Sequence, residues 1–171
     1  MTAYIALLRA VNVGGTGKLP MSDLKALCEA QGFAQVRTYI ASGNVVFHTE
    51  ASAAEIKAAL EAALRSYAGK PVGVMVRTGA EMAAVLKANP FADEAPNRTV
   101  AIFLDKAPPK ELLESVSGCN REKIAPGKRE IYVHYGDGMA HSKLKIPAAR
   151  DGTARNINTI AKLAQWAAQA G

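Results

Sequence analysis

Two hydrophobic periods alternate along the chain, and their order predicts the elements. Tyr4 to Leu8 is a short apolar run that reads as a strand. Pro20 suits the first turn of a helix, where its missing N–H costs nothing, and Leu24, Leu27 and Cys28 then fall on one helical face. Gly32 followed by Phe33 is a helix stop, with Phe33 packing back on the last turn. From Val36 to Ala41, Val36, Thr38 and Ile40 alternate with Arg37 and Tyr39, the period of a half-covered strand. Ser42-Gly43-Asn44 makes a turn into a third strand, Val45 to His48. Ser52 and Glu55 form a capping box for a second helix that carries Ile56, Leu60, Leu64 and Tyr67 and stops at Gly69. Val72, Val74 and Val76 mark a fourth strand. This β-α-β-β-α-β order over residues 1–78 is that of a ferredoxin-like α+β lobe, with two right-handed crossovers placing both helices on one face of an antiparallel sheet. The other face is expected to be open or covered.

Residues 79–171 are less regular and read as a second, smaller α+β lobe. The pattern predicts a helix over Gly79 to Lys87 and a loop from Asn89 to Asn97, where Pro90 and Pro96 exclude a continued helix. It then predicts a buried strand Val100 to Leu104, a helix Pro108 to Val116, and a hairpin turning on Pro126-Gly127-Lys128. The last helix is expected over Thr153 to Gln169, with Ile157, Ile160, Ala161 and Ala164 on one face. This strand-helix-strand-strand series echoes the first, without residue-level identity. No low-complexity linker separates the lobes, so they are expected to pack together.

Composition narrows the class. At 171 residues, with 49% hydrophobic and 21% charged residues, the chain is globular rather than disordered. A chain of this size buries roughly 70% of its unfolded surface and needs no disulfide or metal to fold. Its two cysteines, Cys28 and Cys119, fit a reducing compartment. The opening apolar run ends at Arg9, too short for a signal core or a membrane span, so the expected location is cytoplasmic. The net charge is +6, and residues 138–171 hold five basic side chains against Asp151 alone. A basic tail favours anionic partners.

Three stretches can carry chemistry. The loop Gly14-Gly15-Thr16-Gly17-Lys18 follows a strand and precedes a helix, so its N–H groups and the helix N-terminus suit an anion, with Arg9, Asn12 and Lys18 beside them. It is not a P-loop, because Asn12 stands where that pattern needs glycine and Leu19 where it needs Ser or Thr. Ser42 and Asn44 are explained as turn residues, yet at a sheet end they also suit a ligand. Lys143 and Arg155, with Asn156, form a basic group in which the arginine fork matches phosphate or carboxylate; Thr153 or Asn156 also serves as a helix cap.

The stretches RAVNVGGTGKLPMSDLKAL, VRTYIASGNVVF, SKL and TARNINTIAKL resemble the mainly bacterial family of unknown function numbered 1697. The resemblance implies an α+β fold with a ferredoxin-like portion. It implies no activity, no cofactor and no catalytic residues. The family motif Arg-Asn-Trp is here Arg155-Asn156-Ile157, so any role of that indole is absent or passes to Trp166.

Other chemistries fare poorly. His48, His134 and His141 lack metal-site spacing, no nucleophile elbow appears, and Asp93-Glu94 reads as a solvated pair in a loop. A standard RNA-recognition sheet needs stacking aromatics where Ser42 and Asn44 stand, although Tyr4 and Phe47 match two positions. The expected function is therefore binding of a phosphate-bearing small molecule or a nucleic acid backbone. The alternatives are an enzyme with a polar Arg/Asn site and a protein–protein interaction module.

Overall fold

The computed structural model describes residues 1–9, 18–136 and 142–169. The chain divides into two compact units, one formed by Met1–Ala83 with Lys162–Gly171 and one by Ala84–Ala161.

In the first unit β1 (Thr2–Leu8), β2 (Ala34–Thr38), β3 (Asn44–Thr49) and β4 (Val74–Thr78) form an antiparallel sheet in the order β2-β3-β1-β4. With α1 (Met21–Ala30) and α2 (Ala53–Ala68) as crossovers, this is the ferredoxin-like arrangement expected from the pattern. Alternation along the strands turns Tyr4, Ala6, Leu8, Val45, Phe47, Val74 and Val76 toward Leu24 and Cys28 of α1 and Ile56, Leu60 and Leu64 of α2. Phe33 stacks on Phe47 with ring centroids 4.4 Å apart. Burying each such side chain stabilises the fold by about 1.5–3 kcal/mol.

The local signals act as read. Glu55 N–H donates to Ser52 Oγ (3.2 Å) while Ser52 N–H donates to Glu55 Oε1 (3.0 Å), and Gly69 takes φ 73° at the other end of α2. Thr78 and Glu81 repeat the same box at the start of α3 (Gly79–Lys87). A bulge in β2 lies between Ala34 and Arg37, with Gln35 at φ 52°. Of the two alternatives for the second face of the sheet, open or covered, the structure shows the covered one, because Ile5, Leu7, Val46, Met75 and Arg77 are all buried. Tyr4 and Phe47 lie beneath the helices, where no base can stack on them.

Cys28 is fully buried and Cys119 exposed, both free. Burial, with a smaller contribution from Glu29, raises the Cys28 thiol from 9.0 to about 12. A thiol reagent at mildly alkaline pH is expected to modify one cysteine in the native protein and two in denaturant; two fast thiols in the native state would contradict this packing. Because the folded pKa is raised, the contribution of Cys28 to stability is complete below pH 9 and disappears as pH rises toward 12.

In the second unit β5 (Thr99–Phe103), β6 (Lys123–Pro126), β7 (Glu130–His134) and β8 (Thr153–Asn156) form an antiparallel sheet in the order β6-β7-β5-β8. Two expectations are corrected. The helix expected from Pro108 shrinks to α4 (Leu112–Ser115), since prolines at 108 and 109 remove donors without supplying caps. Thr153–Asn156 is a strand rather than the first turn of the last helix. Thr153 and Arg155 alternate into the buried side of the sheet, and α5 (Ile157–Gln169) begins only after Asn156.

The order β6-β7-β5-β8 is β2-β3-β1-β4 repeated, and the registers align residue by residue. Ile5 faces Arg77 as Ala101 faces Arg155, and Ala3 faces His48 as Thr99 faces His134. Leu8 N–H donates to Gly43 O as Leu104 N–H donates to Arg129 O, both at 2.8–2.9 Å. Each arginine folds back so that Nη1 donates to the preceding carbonyl, Val76 at 3.0 Å and Ala154 at 2.9 Å. The residue after each arginine, Thr78 or Asn156, caps the next helix. The topological echo is thus a structural repeat whose second copy lacks a counterpart of α2 among the described residues. No helix among those residues is long and apolar enough to cross a membrane.

Candidate functional site

The first sheet brings the end of β1 and the β2–β3 turn to one edge. Leu7 lies opposite Asn44, Leu8 N–H donates to Gly43 O (2.8 Å), and Arg9 N–H donates to Gly73 O (2.9 Å). The end of β1, the β2–β3 turn and the start of β4 therefore lie side by side. Because β1 and β2 are both antiparallel to β3, they are parallel to each other, and α1 starts from the side where β1 ends. Its N-terminal N–H groups and dipole face that same edge.

Arg9 and Lys18 are exposed there, and Lys18 forms no ion pair among the described residues. The stem of Arg9 packs beside Gly73, where a Cβ would stand 3.6 Å from its Cβ and Cδ, an ordinary contact distance. Asn12, Gly14 and Gly15 lie outside the described residues.

Ser42 and Asn44 build the turn itself. Asn44 is fully buried, and its Nδ2 donates to Tyr39 O and Ser42 Oγ, each at 2.8 Å, while Tyr39 N–H donates to Asn44 O at 2.9 Å. Gly43 takes φ 86°, where glycine is strain-free. Ile40 takes φ 50° while 51% exposed, a strained conformation for a β-branched side chain that gains little burial. Arg37 of β2, exposed, lies 3.7 Å over the ring of Trp166, and Tyr39 meets the same indole edge-on at 5.3 Å.

The basic group Lys143, Arg155 and Asn156 belongs to the second unit and is not a helical face. Lys143 is exposed. Arg155 sits on β8 at 6% exposure, its Nη1 donating to Thr153 Oγ1 (2.6 Å) and Ala154 O. Burial lowers the Arg155 guanidinium to about 10, which leaves it charged at neutral pH. Asn156 Oδ1 accepts from Thr159 N–H (2.8 Å), the capping role that its residue type suits. Lys162 is the single basic residue of α5, so the expected basic helix is instead a strand arginine followed by a nearly neutral helix.

The sheet edge is built from the stretches that carried the family resemblance, and the profile of the family described as "Protein of unknown function (DUF1697)" matches residues 1–132. The chain belongs to this family. A solved structure of a conserved bacterial protein from Streptococcus pneumoniae is similar with a TM-score of 0.79, at 24% identity, covering 97% of this chain and 98% of that one. At that identity the likeness shows the fold alone. No curated protein matches the sequence. The matched stretch of this DUF1697 chain includes Arg9, Lys18, Ser42 and Asn44 and ends before β8, so Lys143, Arg155 and Asn156 lie beyond it.

The second unit of the DUF1697 chain holds a polar network that spacing did not reveal. His134 Nδ1 is 2.9 Å from Thr99 Oγ1, and its Nε2 is 3.2 Å from Glu94, whose other oxygen accepts from Lys123 Nζ at 2.8 Å. The Lys123 hydrogen bond and charge, and then His134, hold the Glu94 carboxyl below its ordinary range. Glu94 is therefore a paired group, not the solvated one expected. Thr99 is fully buried and also donates to Ala95 O (3.0 Å), so the network fastens residues 94–99 to the sheet and offers no accessible nucleophile. At the equivalent His48 the cross-strand neighbour is Ala3, which has no hydroxyl. Among the described residues, a hollow of about 330 Å³ is lined chiefly by alanines of α3 and α5, and another of about 220 Å³ by Leu113, Val116, Cys119, Glu122 and Ile124.

Proposed function

We propose that the edge formed by the end of β1, the β2–β3 turn and the start of α1 binds an anionic, phosphate-bearing ligand. The observation that carries this reading is the hydrogen-bonded convergence of Arg9, the Ser42–Asn44 turn and Gly73, which gathers exposed cations and a helix N-terminus at one end of a sheet. Arg9 supplies a fork for two phosphate oxygens and Lys18 a mobile point charge. Asp23 in the first turn of α1 would oppose an anion, but its carboxylate accepts from Tyr67 Oη at 2.5 Å. Arg155 contributes to the second sheet and has no part in this reading.

Calorimetric titration with inorganic phosphate, pyrophosphate and a short single-stranded oligonucleotide tests it. Binding is expected to weaken with salt, and Arg9→Ala and Lys18→Ala are each expected to weaken it about tenfold, the scale of one charge-assisted hydrogen bond. Absence of binding at low salt, or binding indifferent to both substitutions, overturns the reading.

A further inference from the structure

The Arg37–Trp166 stack is joined directly to the proposed anion edge. Tyr39, which meets the same indole, is held to Asn44 by two hydrogen bonds, and Gly43 is held to the end of β1 by a third. Arg37 lies opposite Val46, on the sheet face turned away from α1 and α2, and alternation after Leu8 puts Arg9 on that same face. Arg37 lies two strands from β1 and level with Ile5, four residues before Arg9, so about 16 Å separates the two arginines at the backbone, a span their long side chains shorten.

Three properties of this ledge bear on what it binds. Arg37 meets no carboxylate among the described residues, so its charge is uncompensated. The indole holds the guanidinium flat, which leaves an exposed planar cation ready to stack on a second ring. Tyr39 meets the same indole edge-on, and Ile40, next in the chain, keeps a strained left-handed backbone while its side chain is half exposed. A planar cation in an aromatic cluster, two strands from a phosphate-type anchor, matches a ligand having an aromatic base at one end and a phosphate at the other.

We infer that the ligand class of the edge site is a nucleotide, free or within a single strand, whose base stacks on the Arg37–Trp166 pair between Tyr39 and Ile40. This rests on the anion-binding reading and adds the base to it. Recognition by stacking is tolerant of base identity, because every base offers a π-face.

Trp166 is the one tryptophan in the sequence, so its fluorescence reports on this ledge alone. Titrations of the full chain use AMP, a short oligothymidine, ribose 5-phosphate and pyrophosphate, with calorimetry in parallel. AMP and the oligothymidine are expected to change Trp166 emission saturably, while ribose 5-phosphate and pyrophosphate bind by heat alone. Arg37→Ala, at an exposed position, is expected to weaken AMP about fivefold or more and to leave pyrophosphate unchanged. Ile40→Gly, which relieves the backbone, is expected to weaken AMP with no loss of thermal stability. Tighter binding of the oligothymidine than of AMP identifies a strand as the source, and the reverse identifies a free nucleotide. Equal affinity for all the phosphates with silent fluorescence overturns the inference and leaves the anion site standing. Fluorescence changes that persist undiminished in Arg9→Ala remove the anion site and, with it, this inference. No binding of any probe overturns both.

Discussion

Phe47→Ala is expected to cost about 3–5 kcal/mol, the range for truncating a buried aromatic. Phe47 is fully buried at the centre of β3, with Phe33 stacked at 4.4 Å and Tyr4 at 6.5 Å. Its removal strips both neighbours of a contact surface and leaves a cavity that a four-stranded sheet cannot close without moving α1. Small folded proteins have about 5–15 kcal/mol in total, so the variant should melt far below the parent or express unfolded. Phe47→Leu keeps most of the volume and should cost less. Denaturant titration followed by hydrogen exchange along β1 and β3 measures both. A loss under about 1 kcal/mol for the alanine variant would mean that the ring does not fill the space between sheet and helices.

Gly118→Ala is expected to be the most damaging conservative change in the second unit. At φ 69° a side chain is already strained by roughly 1–2 kcal/mol. A Cβ would also stand 2.0 Å from the Lys143 carbonyl oxygen and 2.7 Å from its carbon, both backbone atoms. The segments must then separate, breaking the bridge in which Ser117 N–H donates to Lys145 O (3.0 Å) and Lys145 N–H donates to Ser117 O (2.8 Å). Each bond is worth about 0.5–1.5 kcal/mol, so with the strain the total loss should reach about 2–5 kcal/mol. Glycine to alanine at an unconstrained position stabilises instead, so the sign decides. A raised melting temperature, or unchanged exchange at residues 117 and 145, would refute the contact.

The second copy of the repeat was the hardest part to see in the sequence. Its equivalences, Arg77 with Arg155 and His48 with His134, appear only through strand register. The elements that separate them differ in length and composition, so no constant spacing links the pairs. Thr153–Asn156 was misread for a related reason. Four residues directly before an amphipathic helix extend its period, and only pairing with β5, some fifty residues earlier in the chain, makes them a strand. Glu94 looked solvated because its partners, Lys123 and His134, come from strands far along the chain.

What the sequence determined by itself was local. The serine and glutamate of the capping box, the left-handed glycines at 32, 43 and 69, the apolar run of β1 and the alternation through β2 and β4 act over a few residues. They were enough to order the first six elements, and with them the ferredoxin-like α+β class. Tertiary structure alone decided that the end of β1 and the Ser42–Asn44 turn share an edge, that Arg155 is a buried strand residue, and that Arg37 stacks on the indole of Trp166. These are consequences of register and of which sheet face is buried. Both are set by contacts between distant segments, which no local propensity contains.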